Sequence, residues 1–155
     1  GIKEEISSLL DKTERLTFLE ADSLLVLDLA THRDKVNILL QNTSRLVRTK
    51  AFVGKNIPSR NQNSKSRRFD YFGTDLRKTN LIGADLRGSC LIAANLRGVD
   101  LSGADLIGAD LRDADLSGAN LTNSIFITQG QINSAKGDPH TRLPKMLIRP
   151  AYWQN

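Results

Sequence analysis

Leucine recurs at every fifth position from Leu76 to Leu121, with Phe126 in the next place, and the register does not slip within that stretch. Most units also carry a small residue two places before the leucine, Asp or Asn directly before it, and glycine two places after it. Neither an α-helix, with 3.6 residues per turn, nor a strand, with a period of two, repeats in this way. A strict short period is typical of a solenoid, in which each unit buries its apolar side only against its neighbours. We therefore predict stacked coils with the leucines and small residues inside and the glycines at corners.

The five-residue motif, written A-(D/N)-L-x-x, resembles the pentapeptide-repeat family over residues 69–128. The resemblance implies a mainly β fold, a right-handed quadrilateral parallel β-helix with four units, and so twenty residues, in each coil. About three coils are expected on this count. Residues twenty apart would then stack, and stacked like charges are unfavourable. Most ladders alternate charged and neutral side chains, as such a coil favours; the like-charged exceptions are Asp85 with Asp105 and Arg77 with Arg97.

The first third of the chain, residues 1–50, carries apolar side chains at helical spacing and is predicted to form helices. A weak N-cap pattern at Thr31 and Asp34 places a break near Ala30, with one long helix through His32 as the alternative. Two roles are open for this segment. It would cap the first coil, because the ends of a solenoid need covering, or it would form a dimerisation surface and make the protein a homodimer.

Beyond the repeat, residues 129–155 are predicted to form a C-terminal cap. Thr128 and Gln131 fit a capping box and Gly137 fits a helix stop, so a short helix is expected over 129–136, followed by an extended apolar tail. The segment TQGQINSAKGD, with the later LP and RPAYW, resembles the end of bacterial pentapeptide-repeat proteins, especially those of Firmicutes. That resemblance implies a relation to members associated with resistance to the nucleoside antibiotic oxetanocin.

The net charge of +5 is distributed unevenly along the chain. Residues 1–68 hold thirteen basic and eight acidic side chains, residues 69–128 five and eight, and residues 129–155 four and one. A basic stretch without acidic residues covers the predicted linker, 51–68, and the end of the helix before it; its cations are Arg48, Lys50, Lys55, Arg60, Lys65, Arg67 and Arg68. We interpret this stretch as a candidate anion-binding linker, which would bind nucleic acid only weakly and without sequence preference, because it lacks interleaved aromatic residues for stacking on bases. The alternatives for this stretch are a solvated loop and a loop that lies against the acidic repeats.

No constellation of residues predicts catalysis. The repeat aspartates would fall on four faces and point into solvent, Cys90 would replace one of them near the surface, and His32 and His140 lack the spacing of metal ligands. We therefore expect no enzymatic activity, no cofactor and no metal. The single cysteine fits a reducing cytoplasm, and the chain has neither a long apolar run nor the starting pattern of a signal peptide, so no membrane partner is expected.

These observations favour a non-catalytic protein-interaction or scaffold module that binds an unidentified protein partner. Outward positions of the repeat supply the candidate interaction surface: Phe72 and Ile92 on one face, Ile107 and Ile127 on another, and Arg77 and Arg97. The alternative, implied by the resemblance, is a DNA mimic that binds topoisomerases, or an antibiotic-resistance protein. The repeat departs from that pattern, since it is short and weakly acidic, and competition with DNA needs a strongly negative field.

Overall fold

The computed structural model describes residues 1–51 and 70–154. The chain divides into two compact units, Gly1–Leu46 and Val47–Asn155. The helices are α1 (Ile2–Leu16), α2 (Ala21–Leu25), α3 (Leu29–Ala51) and α4 (Gln129–Ser134), with a short 3-10 helix at Ala151–Trp153. The repeats lie between α3 and α4, and the last turn of α3 belongs to the second unit.

Parallel β-bridges confirm the predicted twenty-residue period. Seven of the nine bridges among the described residues join positions twenty apart, from Asp70 with Cys90 to Asp105 with Ile125. The last two bridges have longer spacings and join Asp115 with Lys136 and Asn120 with Arg142. The chain after the repeat thus continues the ladder, with a basic residue in the position that Asp or Asn takes in the repeat. Successive coils are therefore hydrogen-bonded in register.

The interior is filled as the repeat predicts. All ten leucines at five-residue spacing are at most 6% exposed, and the small residues from Ala94 to Ala119 are at most 4% exposed. Phe126 is an exception: it is only half-buried and has a φ of 60°, because the chain leaves the coil there. Burial of one leucine side chain stabilises a fold by roughly 1.5–3 kcal/mol, so this column contributes substantially to the stability of the second unit.

At the corners, the residue two places after the leucine turns the chain. Seven glycines at this position have φ between 61° and 69°, and the same conformation is adopted by Ala93 and Asp113. The amide three places after the leucine closes the turn on the leucine carbonyl, for example Ala104 on Leu101 at 3.0 Å. Positive φ at the third residue of such a turn explains the preference for glycine.

The prediction of a mainly β protein is right for the architecture of the repeat and wrong for the secondary-structure content. The described residues hold only single-residue bridges and no extended strand, whereas α1 and α3 cover 15 and 23 residues. A corner every five residues leaves too little straight chain for a strand. The circular dichroism spectrum should accordingly be dominated by helix. Because the coils contain no extended strand among the described residues, a helical spectrum does not argue against the solenoid.

The helix boundaries in the first unit differ from the prediction. The chain breaks twice, after Leu16 and after Leu25, and so one continuous helix from residue 22 to 50 is excluded. The N-cap of α3 is Asp28 rather than Thr31: its carboxylate accepts the Thr31 amide at 3.0 Å. The predicted N-cap was thus displaced by three residues toward the N-terminus, because the carboxylate of Asp28 is the stronger cap.

The C-terminal segment forms the predicted capping box and a shorter helix. Thr128 accepts the amide of Gln131 at 3.3 Å, and Gln131 accepts the amide of Thr128 at 2.8 Å. Gly137 does not stop α4, which ends at Ser134; a Cβ at Gly137 would lie 2.5 Å from the ring of Trp153. The tail that follows is not simply extended, because it turns back to bury that tryptophan, 1% exposed.

The first unit is a helical hairpin without a buried core. Helices α1 and α3 run antiparallel, and Thr13 Oγ1 lies 3.1 Å from His32 Nε2. Neither α1 nor α2 holds a buried residue, and the one buried residue of α3 is Ser44. No helix within residues 1–51 and 70–154 is both long and apolar enough to cross a membrane.

Candidate interaction surface

Every described Asp or Asn before a repeat leucine accepts the backbone amide two residues further on. The distances run from 2.9 Å at Asp100 to 3.5 Å at Asp85. Such a bond holds the side chain against its own turn, as in Asx turns. The acidic ladder was predicted as freely solvated, and this prediction is wrong in detail, since the carboxylates are structural acceptors.

Three aspartates also hold the arginine of their own unit in a fork, and in two of these forks the arginine is exposed. Arg77 donates to Asp75 at 2.9 and 2.7 Å, and Arg112 donates to Asp110 at 2.9 and 2.7 Å. The hydrogen bond from Arg77 lowers the pKa of Asp75 from 3.8 to about 2, and the bond from Arg112 lowers the pKa of Asp110. Both guanidinium groups are therefore fixed on the surface in one geometry.

Arg97 makes its bond to the next coil rather than to its own unit. It donates to Asp115 at 3.0 Å. The unit of Arg97 has the neutral Asn95 in the Asp/Asn position, and Asp115 is the residue that pairs with Asn95 in the next coil. Arg77 and Arg97, predicted to stack as like charges, thus each have an acidic partner. The side chains remain about half-exposed, 54% and 56%, so both are available on the surface.

The stacked carboxylates of Asp85 and Asp105 are neutralised by two arginines. Arg87 Nε lies 2.8 Å from Asp85 Oδ1 and 3.6 Å from Asp105 Oδ2. Arg48, from the last turns of α3, donates to Asp85 Oδ2 at 3.1 Å and to the carbonyl of Gly83 at 2.9 Å. The bond from Arg87 is the main cause that lowers the pKa of Asp85; burial opposes it and the charge of Arg48 supports it.

Asp105 is the aspartate that the sequence analysis misjudged most. Its side chain is fully buried, with Oδ1 accepting the amide of Ile107 at 3.0 Å and Oδ2 without a hydrogen bond. A buried carboxylate is costly unless a cation is near. The predicted like-charge stack of Asp85 and Asp105 was the available signal, since two stacked carboxylates required a cation, and Arg87 of the repeat and Arg48 of α3 provide it.

The apolar candidates divide into one exposed and three half-buried residues. Phe72 is 65% exposed, and its neighbour in the ladder, Ile92, is half-buried; the two units are joined by the bond from Gly73 N–H to the Ile92 carbonyl at 2.9 Å. Ile107 is half-buried on another face, and Ile127, beyond the end of the coil, packs against the core. The exposed apolar surface of the repeat therefore centres on Phe72 and Ile92.

Only two cations of the basic stretch lie within the described residues. Arg48 and Lys50 are both part of α3, so the linker does not include them, and Arg48 forms an ion pair with Asp85. The others, Lys55, Arg60, Lys65, Arg67 and Arg68, lie outside the described residues. Anion binding by the linker stays a prediction.

Cys90 occupies an Asp/Asn place, as predicted, and is a half-buried free thiol. In the part of the chain that the structure describes, no group of three or more His, Cys, Asp or Glu residues could hold a metal ion. We therefore assign none of the described residues to a metal.

The geometry defines a solenoid of five-residue units with parallel coils. Eight copies of the family model described as "Pentapeptide repeats" match residues 73–91 and 89–126. The repeat segment belongs to the pentapeptide-repeat family, as predicted, and these repeats imply the right-handed β-helix.

Individual proteins are also similar to this chain. "Uncharacterized protein YybG" from Bacillus subtilis strain 168 is 55% identical over 153 residues, which is 99% of this chain and 53% of that protein. The chain thus spans about half the length of this curated relative, which is a Firmicutes protein, as the terminal segment suggested. A pentapeptide repeat protein, Rfr23, from the cyanobacterium Cyanothece 51142 is 31% identical, with 48% of this chain and 46% of that chain covered and a TM-score of 0.36.

Proposed function

We propose that the chain is a non-catalytic protein-interaction module whose repeat body presents a preorganised surface to a protein partner. The observation that carries this proposal is the fixed pair of forks, Arg77 on Asp75 and Arg112 on Asp110, on the same solenoid as the exposed Phe72. Arginine and aromatic residues are enriched at protein interfaces and among the side chains that dominate binding energy.

Preorganisation matters because binding otherwise has to immobilise each flexible side chain. Ordering one rotamer-rich side chain at an interface costs about 0.5–1.5 kcal/mol. The forks favour one geometry of the two guanidiniums before any partner arrives, and the hydrogen-bonded ladder holds Phe72 beside Ile92. A rigid face of this kind favours a shape-specific partner over a loosely bound polyanion.

Mimicry of DNA is the weaker candidate. The repeat segment has eight acidic side chains against five basic ones, and Asp75, Asp85, Asp110 and Asp115 are each paired with an arginine. The field of such a surface is far weaker than that of a phosphate backbone. We expect no inhibition of supercoiling by DNA gyrase, and the link to antibiotic resistance remains a resemblance.

The finer architecture is part of the same proposal. The twenty-residue bridges and the length of the repeat support about three coils. The contacts of the C-terminal segment support its role as a cap. Ile132 and Trp153 are buried, and Gln131 Nε2 donates to the carbonyls of Leu106 and Ala109 at 2.9 and 2.8 Å. A cap of the first coil by the N-terminal helices, weak nucleic-acid binding and a cytoplasmic location stay predictions.

The test compares one face of the repeat with another. Tagged wild-type protein, Phe72→Lys and Thr122→Lys would each be used to capture partners from the native host by crosslinking and mass spectrometry. Thr122 is an exposed residue at the same place in its unit on a different face, so Thr122→Lys is the matched control. A protein retained by wild type and Thr122→Lys but lost by Phe72→Lys, and then bound as a purified pair, supports the proposal; identical capture by all three variants contradicts it.

A further inference from the structure

A groove along the helical hairpin has the features of a contact with a second copy of the chain. It has a volume of about 600 Å³ and lies between α1 and α3, where Leu9, Ile38 and Leu39 provide its apolar side chains. Ile38 is 59% exposed although it lies in the middle of α3. A pair of helices buries only one side of each, and bundles become stable when a second pair covers the other side.

Charges at the two ends of the groove are opposite. Glu4 and Glu5 lie at one end, and Lys12 and Lys35 lie at the other, since α1 and α3 run antiparallel. Along α1 the separation from residue 5 to residue 12 is about 10 Å at 1.5 Å per residue. The groove is therefore an apolar surface with an acidic and a basic end.

Such a surface is complementary to itself under one kind of two-fold rotation. An axis in the interface and at right angles to the helices places α1 against α1 of the partner in the opposite direction, so that Glu4 and Glu5 meet Lys12 of the partner subunit. An axis parallel to the helices would instead place Lys12 against Lys35 of the partner subunit, which is repulsive. Symmetric contacts of this isologous kind are the commonest in soluble oligomers.

We infer that the protein forms a homodimer through this groove, with the two hairpins packed antiparallel as a four-helix bundle. Ile38 lies at its centre, and the acidic end of each groove faces the basic end of the other. This assembly uses the first unit only and is independent of the partner surface proposed on the repeat.

A first experiment measures the mass of the full 155-residue chain by sedimentation equilibrium across a dilution series. We expect a dimer that dissociates on dilution, and Ile38→Lys should weaken it by at least about tenfold, because it buries an unpaired charge. Met146→Lys is the control, since Met146 is 87% exposed and lies in the second unit. A monomer at every concentration, or equal weakening by both substitutions, overturns the inference.

A second experiment tests the direction of packing by charge exchange. Variant A carries Glu4→Lys and Glu5→Lys, and variant B carries Lys12→Glu and Lys35→Glu, so that the charged side chains of the groove are all basic in A and all acidic in B. Each variant alone should be monomeric, whereas an equimolar mixture should form a heterodimer. Helix content measured by circular dichroism confirms that both are folded, and the substituted side chains are exposed. Dimers of A or of B alone, or no heterodimer in the mixture while wild type dimerises, would rule out the groove as the interface. The single substitution Lys12→Glu tests the axis: it should weaken the dimer, and a tighter dimer would instead favour the axis parallel to the helices.

Discussion

The two units of this protein are both rich in leucine and isoleucine, yet they use these residues in opposite ways. In the repeat, every leucine of the five-residue series is at most 6% exposed; in the hairpin, Leu10 is 64% exposed and Leu25 is 84% exposed. The difference follows from geometry. A coil brings each leucine against the leucines of neighbouring coils, whereas two helices alone leave their outer sides uncovered. Apolar composition therefore does not predict burial unless the neighbouring elements are known.

Polar groups differ between the units as well. In the repeat, carboxylates serve as acceptors for backbone amides and arginines, and in the hairpin the acidic and basic side chains of the groove lie on an open surface. Helix α3 belongs to both units: its last turns carry Arg48, which contacts Asp85 and the carbonyl of Gly83. We infer that stability resides in the second unit and that the first unit is the more adaptable part.

The largest expected effect tests that inference with matched truncations. Leu96→Ala should lower the free energy of unfolding by about 2–5 kcal/mol, because a fully buried leucine leaves a cavity between coils. Ile38→Ala should cost much less at concentrations where the chain is monomeric, since its side chain is exposed there. Chemical denaturation of both variants measures the difference, and similar costs would show that the two units do not differ as described.

A second substitution tests how the end of α3 packs on the repeat. Gly103 and Gly98 have the same φ, 69° and 68°, but a Cβ at Gly103 would lie 2.5 Å from the Cβ of Ala51, whereas one at Gly98 has open space. Gly98→Ala should therefore show only the backbone strain, about 1–2 kcal/mol. Gly103→Ala should cost a further 1–3 kcal/mol, roughly what overpacking costs elsewhere.

The double substitution Gly103→Ala with Ala51→Gly is the control for that clash. It should recover part of the additional loss in the free energy of unfolding, because the methyl group of Ala51 no longer obstructs residue 103. The cost of a glycine in the helix is measured separately with Ala51→Gly alone and subtracted. Equal stability of the two single glycine variants would mean that α3 does not rest on Gly103.

Acid should destabilise the repeat through its forks. The pKa of Asp75 is about 2 in the folded protein and ordinarily 3.8, so its ionised form stabilises the fold above about pH 4. This contribution is lost as the pH falls from about 4 to about 2, and Asp110, whose pKa Arg112 also lowers, acts in the same direction. Denaturation midpoints across this range should fall less steeply in the double variant Asp75→Asn with Asp110→Asn. An unchanged slope would show that the forks do not persist in solution.

Much of the repeat could be predicted because its period is an unambiguous signal. The leucine positions and the inward small residues followed from one spacing, since five excludes ordinary helices and strands. The twenty-residue ladder followed from the resemblance to the pentapeptide-repeat family. Phe126 was misplaced because a periodic pattern does not report where the chain leaves the coil. Gly137 was misread for a related reason: its role is set by the ring of Trp153, sixteen residues further on, which no local helix signal contains.

The candidate surface could be predicted only in outline. Outward positions follow from the alternation of side chains, but their partners do not: Arg48 reaches Asp85 over 37 positions of sequence. The same limit explains Asp105, which its unit presents as one more surface aspartate and which the fold buries completely. Long-range contacts therefore decided which polar residues became structural and which remained available for binding.

The smallest expected effect concerns the arginine ladder. A like-charge stack of Arg77 and Arg97 would make Arg97→Ala stabilising, but Arg77 is held by Asp75, and Arg97 binds Asp115 at 3.0 Å. An exposed pair contributes roughly 0–1 kcal/mol, so Arg97→Ala should cause a loss within that range and no gain. Arg33→Ala, on an exposed helix position of the hairpin, is the control and should change stability as little. A gain in stability for Arg97→Ala would show that like-charge repulsion, and not the bond to Asp115, governs this face of the repeat.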